Sequence, residues 1–343
     1  MVGANRREFL AGVGSIGVLG MSGCLNEGGA TWTAEIGPAG PLSFGTAGSD
    51  DGVLYTSSTG SVYAINPSGD IAWTYEQFEG TIEHAPVVHP TQLCVATSSG
   101  GVHAVSGGER RWSFTELSGR AGRPAIVEEG VFVVAEGNLH VLGFSDGTHR
   151  EQIDTPLNGA AWAEATDDSV LLARSERLLS ISRSDYTIQW EHPIQSGTQP
   201  VVSEGGVAVA SQSEGALAVL DPTTGAIRWT GLESDSLATP YGFRLGDLYV
   251  TDTATGRVAG YLSDGEQRWE SRVDGAESLS RPCRDPSNVY VVDRDPGTVH
   301  TLAVPDGEVG DESSVGTSVN HYPHASLDYL YVPTDKGVVA VET

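Results

Sequence analysis

Histidines and acidic pairs are the side chains of this chain that could support metal binding or proton transfer. His321 and His324 stand three apart in Asn320-His321-Tyr322-Pro323-His324, a spacing that brings two ligands to one side only in a helix. Pro323 biases its neighbour toward extended backbone, so the pair is not expected to converge. His84 and His89 flank a proline and are isolated. His103, His140 and His300 fall at one position of an internal repeat whose other copies carry Tyr63, Leu179, Ala218, Ala259 and Val339. A slot that accepts aromatic and aliphatic residues alike is a packing slot. Asp50-Asp51, Asp167-Asp168 and Asp293-Arg294-Asp295 fall at expected turns, where carboxylates are solvated or build Asx-turns; a loop calcium or hydrated salt cations are what they could hold. Cys94 and Cys283 are far apart and lack CxxC spacing, which supports neither a disulfide framework nor structural zinc and predicts two buried thiols. No phosphate loop or HExxH motif follows the first 24 residues. No catalytic, cofactor-binding or metal-binding residue is assigned, and no cofactor is expected.

The first 24 residues read as an address. Arg6-Arg7 precede Glu8, Phe9 and Leu10, and the stretch from Phe9 to Gly23 is uncharged. It falls short of the roughly 20 residues needed to span a bilayer as a helix, and its glycines weaken helix formation further. The pattern resembles a twin-arginine export signal, and Met21-Ser22-Gly23-Cys24 resembles a lipobox with methionine where leucine is usual. The resemblance implies a twin-arginine lipoprotein signal peptide over 1–23, a lipid on Cys24, a polar tether over 24–29 and attachment to the outer face of the cytoplasmic membrane.

Forty-five acidic residues face 19 basic ones, a net charge of −26, and Lys336 is the only lysine. Displacing counterions from a phosphate backbone takes clustered Lys and Arg, so nucleic acid is excluded as a partner. Self-repulsion of this size eases when salt shortens the Debye length from about 10 Å at 0.1 M to about 3 Å at 1 M. The composition resembles that of proteins from salt-loving archaea. Removing residues 1–23 takes away two arginines and one glutamate, so the acidity belongs to the body of the chain.

That body is a repeat. Tryptophans at 32, 73, 112, 190, 229 and 269 are spaced by 41, 39, 78, 39 and 40 residues, and 78 is twice 39. Glu151 and Asp311 stand near the steps at which the tryptophan is missing. A fixed period near 40 marks a propeller or a stacked array. Each copy offers a short first strand, often after a proline, then two apolar strands joined by a tight turn, then a strand ending at tryptophan. Val, Tyr and Leu supply the strands, and Thr-Gly, Asp-Gly and Ser-Gly pairs supply hairpin turns. Eight copies of the middle strands occur, but the last stops at Thr343 without a fourth strand. Thr31-Trp32-Thr33-Ala34-Glu35 has the fourth-strand pattern and no blade of its own. The expected fold is all-β: an eight-bladed β-propeller of four-stranded antiparallel blades over 30–343, its ring closed by residues 30–36 pairing with the last blade so that no edge is left open. Seven blades would result if 279–313 packed irregularly. Trp162 is off the repeat position and is either an extra core residue or a ligand-binding aromatic.

Residues 217–225 (LAVLDPTTG) with Trp229, and 61–66 (SVYAIN) with Trp73, resemble the quinoprotein-like (PQQ-like) repeat. That repeat is known from quinone-dependent dehydrogenases and from the outer-membrane-protein assembly lipoprotein of Gram-negative bacteria. The resemblance covers about 30–343 and implies that Trp32, Trp73, Trp112, Trp190, Trp229 and Trp269 dock between neighbouring blades. A quinone enzyme of this kind needs a cofactor well with calcium held by Glu, Asn and Asp and, in one branch, a vicinal disulfide. This chain has no Cys-Cys pair and lacks the longer loops of those enzymes. The expected function is therefore a non-catalytic, lipid-anchored scaffold for protein interaction or assembly, monomeric and with its partner unnamed. A surface solute- or glycan-binding protein is the second reading, and a quinone-dependent dehydrogenase the third.

Overall fold

Short runs of β-branched and aromatic residues, cut by turns rich in glycine and aspartate, favour hairpins over helices. The computed structural model describes residues 29–47, 52–58, 60–174, 176–194, 199–203, 205–210, 217–233, 238–244, 247–253, 255–276 and 278–343. Arg6, Arg7, Cys24 and the Asp50-Asp51 pair lie outside the described residues. Within them the chain forms eight four-stranded antiparallel sheets, arranged as the blades of a propeller. Blade 1 spans 43–75, blade 2 87–114, blade 3 125–154, blade 4 162–193, blade 5 201–231, blade 6 238–272 and blade 7 283–314. Blade 8 is composite, because His324–Ala325, Tyr329–Pro333 and Gly337–Glu342 take Ala30–Glu35 as their fourth strand. The segment around 279–313 is a regular blade, which settles the count at eight.

Closure depends on how near two strands can come. Trp32 pairs with Ala340 and Glu35 with Gly337, and the Gly37 and Ala39 amides donate to the carbonyls of Lys336 (3.1 Å) and Thr334 (2.9 Å). Gly337 has a φ of +150°, and a Cβ there would lie 2.0 Å from the Ala34 carbonyl oxygen. Any side chain at this position would push the closing strand away.

Among the described residues the core is divided rather than single. Eight apolar clusters form, one at each junction between neighbouring blades; at the junction of blades 3 and 4, for example, Phe132 and Leu139 meet Leu172 and Leu179. The first strands of successive blades contact one another around the ring axis, as Ala125–Val127 does with Trp162–Ala165. The fourth strands form the rim, where five of the six residues of His149–Asp154 are exposed. In such a meander the turns between strands 1 and 2 and between strands 3 and 4 lie at one end of the ring. The crossovers between blades, and the turns between strands 2 and 3, lie at the other.

Candidate functional site

The turn between strands 3 and 4 of blades 1 to 7 meets the fourth strand of the blade before it. Trp32, Trp112, Trp190, Trp229 and Trp269 each donate their indole N–H to a carbonyl of that turn: Pro67 (3.0 Å), Phe144 (2.8 Å), Pro222 (3.0 Å), Ser263 (3.1 Å) and Val304 (2.8 Å). Each indole lies against a glycine of the same turn, and Trp73 lies likewise against Gly108. At Gly147 the backbone has a φ of +67°, and a Cβ would fall 2.4 Å from the Trp112 ring; glycine satisfies both demands at once. These tryptophans are latches between blades, packing apolar surface against the facing turn while five of the six N–H groups find an acceptor there.

Two junctions have no latch, for two different reasons. Glu151 pairs with Val141 at the register position that Trp112 takes opposite Ala104. The turn facing it carries Tyr186 instead of glycine, at a φ of +58°. The Tyr186 amide donates to the Ser182 carbonyl as the Gly225 amide does to Asp221, and its side chain packs on the cluster between blades 3 and 4. Tyrosine fills the volume that tryptophan vacates. Asp311 lies in the fourth strand of blade 7. The turn it would face, between strands 3 and 4 of blade 8, does not exist, because Gly337–Glu342 and Ala30–Glu35 come from opposite ends of the chain.

The polar residues singled out in the sequence are dispersed. His103, His140 and His300 are buried at equivalent positions opposite Val95, Val133 and Val291. His140 Nδ1 is 3.1 Å from His149 Nε2, and His300 Nδ1 is 3.2 Å from Glu312. Both ring nitrogens of His103 are buried without a hydrogen-bond partner, and burial, aided by Arg110, pushes its pKa down to about 4. Cys94 and Cys283 are buried free thiols. Asp167 and Asp168 sit at a turn whose carbonyls accept from Arg183. Asp293 is buried and accepts the Ser278 amide at 3.3 Å, while Asp295 is exposed. Asp146 accepts the Thr148 amide and hydroxyl, and Asp221 accepts the Thr223 and Thr224 amides. Hydrogen bonds from Arg228 and Thr224 hold the Asp221 carboxyl down at about 2. Asp146, Asp167, Asp168 and Asp221 thus sit in turns at one end of the ring, whereas Asp293 and Asp295 belong to a strand 2–3 turn at the crossover end. Among the described residues, no group of three or more His, Cys, Asp or Glu could hold a metal ion. A cavity of about 690 Å³ lies among the first strands of blades 2 to 5, lined by Val88, Ile126, Val202, Glu164 and Asp168 among others.

The opposite, crossover end differs. Strand register places Arg123, Trp162, Arg281 and Tyr322 in one slot, two residues before the first-strand residue that pairs with Phe132, Leu171, Tyr290 and Tyr331 respectively. The same slot holds Pro41, Ala85, Gln199 and Thr239 in blades 1, 2, 5 and 6. Arg123 of blade 3 lies over the Trp162 ring of blade 4 at 5.3 Å, and Arg281 of blade 7 over the Tyr322 ring of blade 8 at 5.2 Å. Blades 3 and 7 are four apart, so the two arginine–aromatic pairs face each other across the mouth. Nη1 of Arg123 donates to the Ala163 carbonyl (3.1 Å) and the Glu164 carboxylate (2.7 Å). His84 is pushed down to about 4 by burial and the Arg123 charge, and His321 is lowered by burial and Arg294. Nε of Arg294 is shielded from water and has no hydrogen-bond partner among the described residues. Trp162 is half-buried: its ring meets the cluster between blades 4 and 5 and carries the Arg123 guanidinium. Arg123, Arg281 and Tyr322 were missed in the sequence. Their signal was there as Arg123-Pro124 and Arg281-Pro282, two like dipeptides four repeats apart.

The family described as "Outer membrane protein assembly factor BamB" matches residues 23–231 and 215–342. The chain belongs to the BamB family. No curated protein sequence matches it. Among solved structures, BamB from Moraxella catarrhalis is 22% identical with a TM-score of 0.68, covering 91% of this chain and 96% of that one. The computationally designed Ika8 protein gives 13% and 0.77, and Sqt1 of Saccharomyces cerevisiae 12% and 0.71; each match covers 93% of this chain and all of the other. At these identities the structural matches speak to the fold, which a designed protein shares with natural ones. Membership of the BamB family rests on the sequence match.

Proposed function

We propose that this BamB-family propeller is a non-catalytic scaffold for protein interaction or assembly, exported and held at the outer face of the cytoplasmic membrane by a lipid on Cys24. The observation that carries this reading is the family match, which runs through nearly the whole ring and names an assembly factor. The architecture supports it, since eight packed junctions hold rows of exposed turns in fixed positions, the arrangement by which rigid scaffolds present binding loops. The arginine pair and the Met21–Cys24 sequence support export and anchoring. The net charge of −26 supports work in brine, where screening relieves self-repulsion.

Cross-linking in native membranes followed by mass spectrometry tests the scaffold. A reproducible protein partner is expected for the wild type, and its absence overturns the reading. Mass spectrometry of the mature chain tests the anchor, and a free Cys24 thiol removes it. The melting temperature should rise between dilute buffer and molar salt; an unchanged value removes the assignment to a high-salt setting.

A further inference from the structure

We infer that the crossover mouth of the ring is the docking site for an acidic peptide segment of the partner, its carboxylates taken by Arg123 and Arg281, which Trp162 and Tyr322 hold in place. This deepens the scaffold reading and rests on it. The eight equivalent slots at this mouth hold two cations and two large aromatics, and these fall as two matched pairs on opposite sides. In a chain with 19 basic residues against 45 acidic ones, such a placement stands out against the charge of the rest.

The chemistry favours carboxylates. A guanidinium over an aromatic face is held there by cation–π attraction and keeps in-plane N–H groups that can take a carboxylate in bidentate fashion. Arg123 uses Nη1 for both its protein acceptors, which leaves the Nε and Nη2 edge as the one a ligand can take. On the far side the buried Nε of Arg294 lacks an acceptor, and Arg294 lies near enough to His321, the neighbour of Tyr322, to disfavour its protonation. The aromatic rings hold the two guanidiniums at the mouth by cation–π attraction. The Trp162 and Tyr322 rings are each covered by arginine and stand four blades apart, an arrangement poorly suited to a single aromatic sugar platform.

The probe is a fluorescein-labelled octaglutamate, about 27 Å long when extended, with labelled octaserine as its neutral counterpart. Anisotropy is read at 1 M potassium chloride, where the acidic ring repels the probe least. Saturable binding of octaglutamate but not octaserine is expected. Arg123→Gln and Arg281→Gln should each weaken it by about tenfold or more, and the double variant should abolish it. Arg228→Gln, which alters an exposed pair with Asp221 at the other end of the ring, should bind as the wild type does. Circular dichroism and the melting temperature of each variant separate lost binding from lost folding. The inference is overturned if octaglutamate fails to bind the wild type, if the folded double variant binds it equally, or if free glutarate competes as well as the peptide at equal carboxylate concentration. Should the double variant still capture the cross-linked partner in membranes, the scaffold reading stands and this site alone falls.

Discussion

The eight blade junctions fall into two kinds. Six carry a tryptophan latched onto a glycine turn, and two, between blades 3 and 4 and between blades 7 and 8, carry none. The unlatched pair shares more than that absence. These are the two junctions bridged at the crossover mouth by Arg123 over Trp162 and Arg281 over Tyr322. Blades 3 and 7 are also where the slot histidine approaches a charged or imidazole side chain of the fourth strand, His140 near His149 and His300 near Glu312, although His300 Nδ1, like both ring nitrogens of His103 in latched blade 2, makes no hydrogen bond. The lesson is that a repeat diverges by whole junctions rather than by single residues. An indole, its glycine and its acceptor carbonyl form one packing unit, so loss of the indole must be answered on the facing turn. Tyr186 answers it at one unlatched junction, and the break between the chain ends removes the need at the other.

The largest effect should come from unfastening a latch. Trp112→Ala is expected to cost about 3–5 kcal/mol in denaturant unfolding, since the indole is buried and bonded to Phe144. Tyr186→Ala, at the unlatched junction, should cost about 1–2 kcal/mol for a partly buried ring. Equal losses would erase the distinction between the two kinds of junction.

Acid should act next, through the histidine slot. The folded pKa of His103, about 4, lies below the ordinary value of 6.5, so the unfolded chain binds the proton more readily. The stability linked to the neutral ring is complete above pH 6.5 and falls as the pH drops toward 4, by on the order of 3 kcal/mol. His84 adds in the same sense. His103→Leu should flatten the stability–pH curve over that window, and an unaltered curve would show that the unpartnered slot is not what the acid reaches.

A latch can also be installed. Glu151→Trp alone should destabilise, because Tyr186 occupies the space, whereas Glu151→Trp with Tyr186→Gly should restore the unit and gain about 1–2 kcal/mol over the wild type. The double-mutant cycle should show a coupling of about 1–3 kcal/mol; additive effects would mean that the two positions are independent. The smallest change is expected at Arg177→Gln, which breaks an exposed pair with Glu191 and should shift stability by less than about 1 kcal/mol. A larger loss would show that surface charge, not packing, distinguishes blade 4.

Much of the ring was legible in the sequence. The tryptophan period set the blade size, the two gaps at Glu151 and Asp311 kept the count at eight, and the orphan strand at Trp32 foretold the closure through Ala30–Glu35. These features repeat, and repetition turns weak local signals into a strong one. The mouth was not legible in the same way. Arg123 and Arg281 are separated by four repeats and share only the Arg-Pro dipeptide, and nothing in either segment points to the aromatic partner on the following blade.

Strand pattern, turn residues and period by themselves determined the all-β ring, because hydrophobic alternation and turn chemistry act over a few residues and recur in every copy. Tertiary structure alone decided how the unlatched junctions are filled and which side chains meet at the mouth. Those contacts form between blades, where distance in space is set by ring closure and not by distance along the chain.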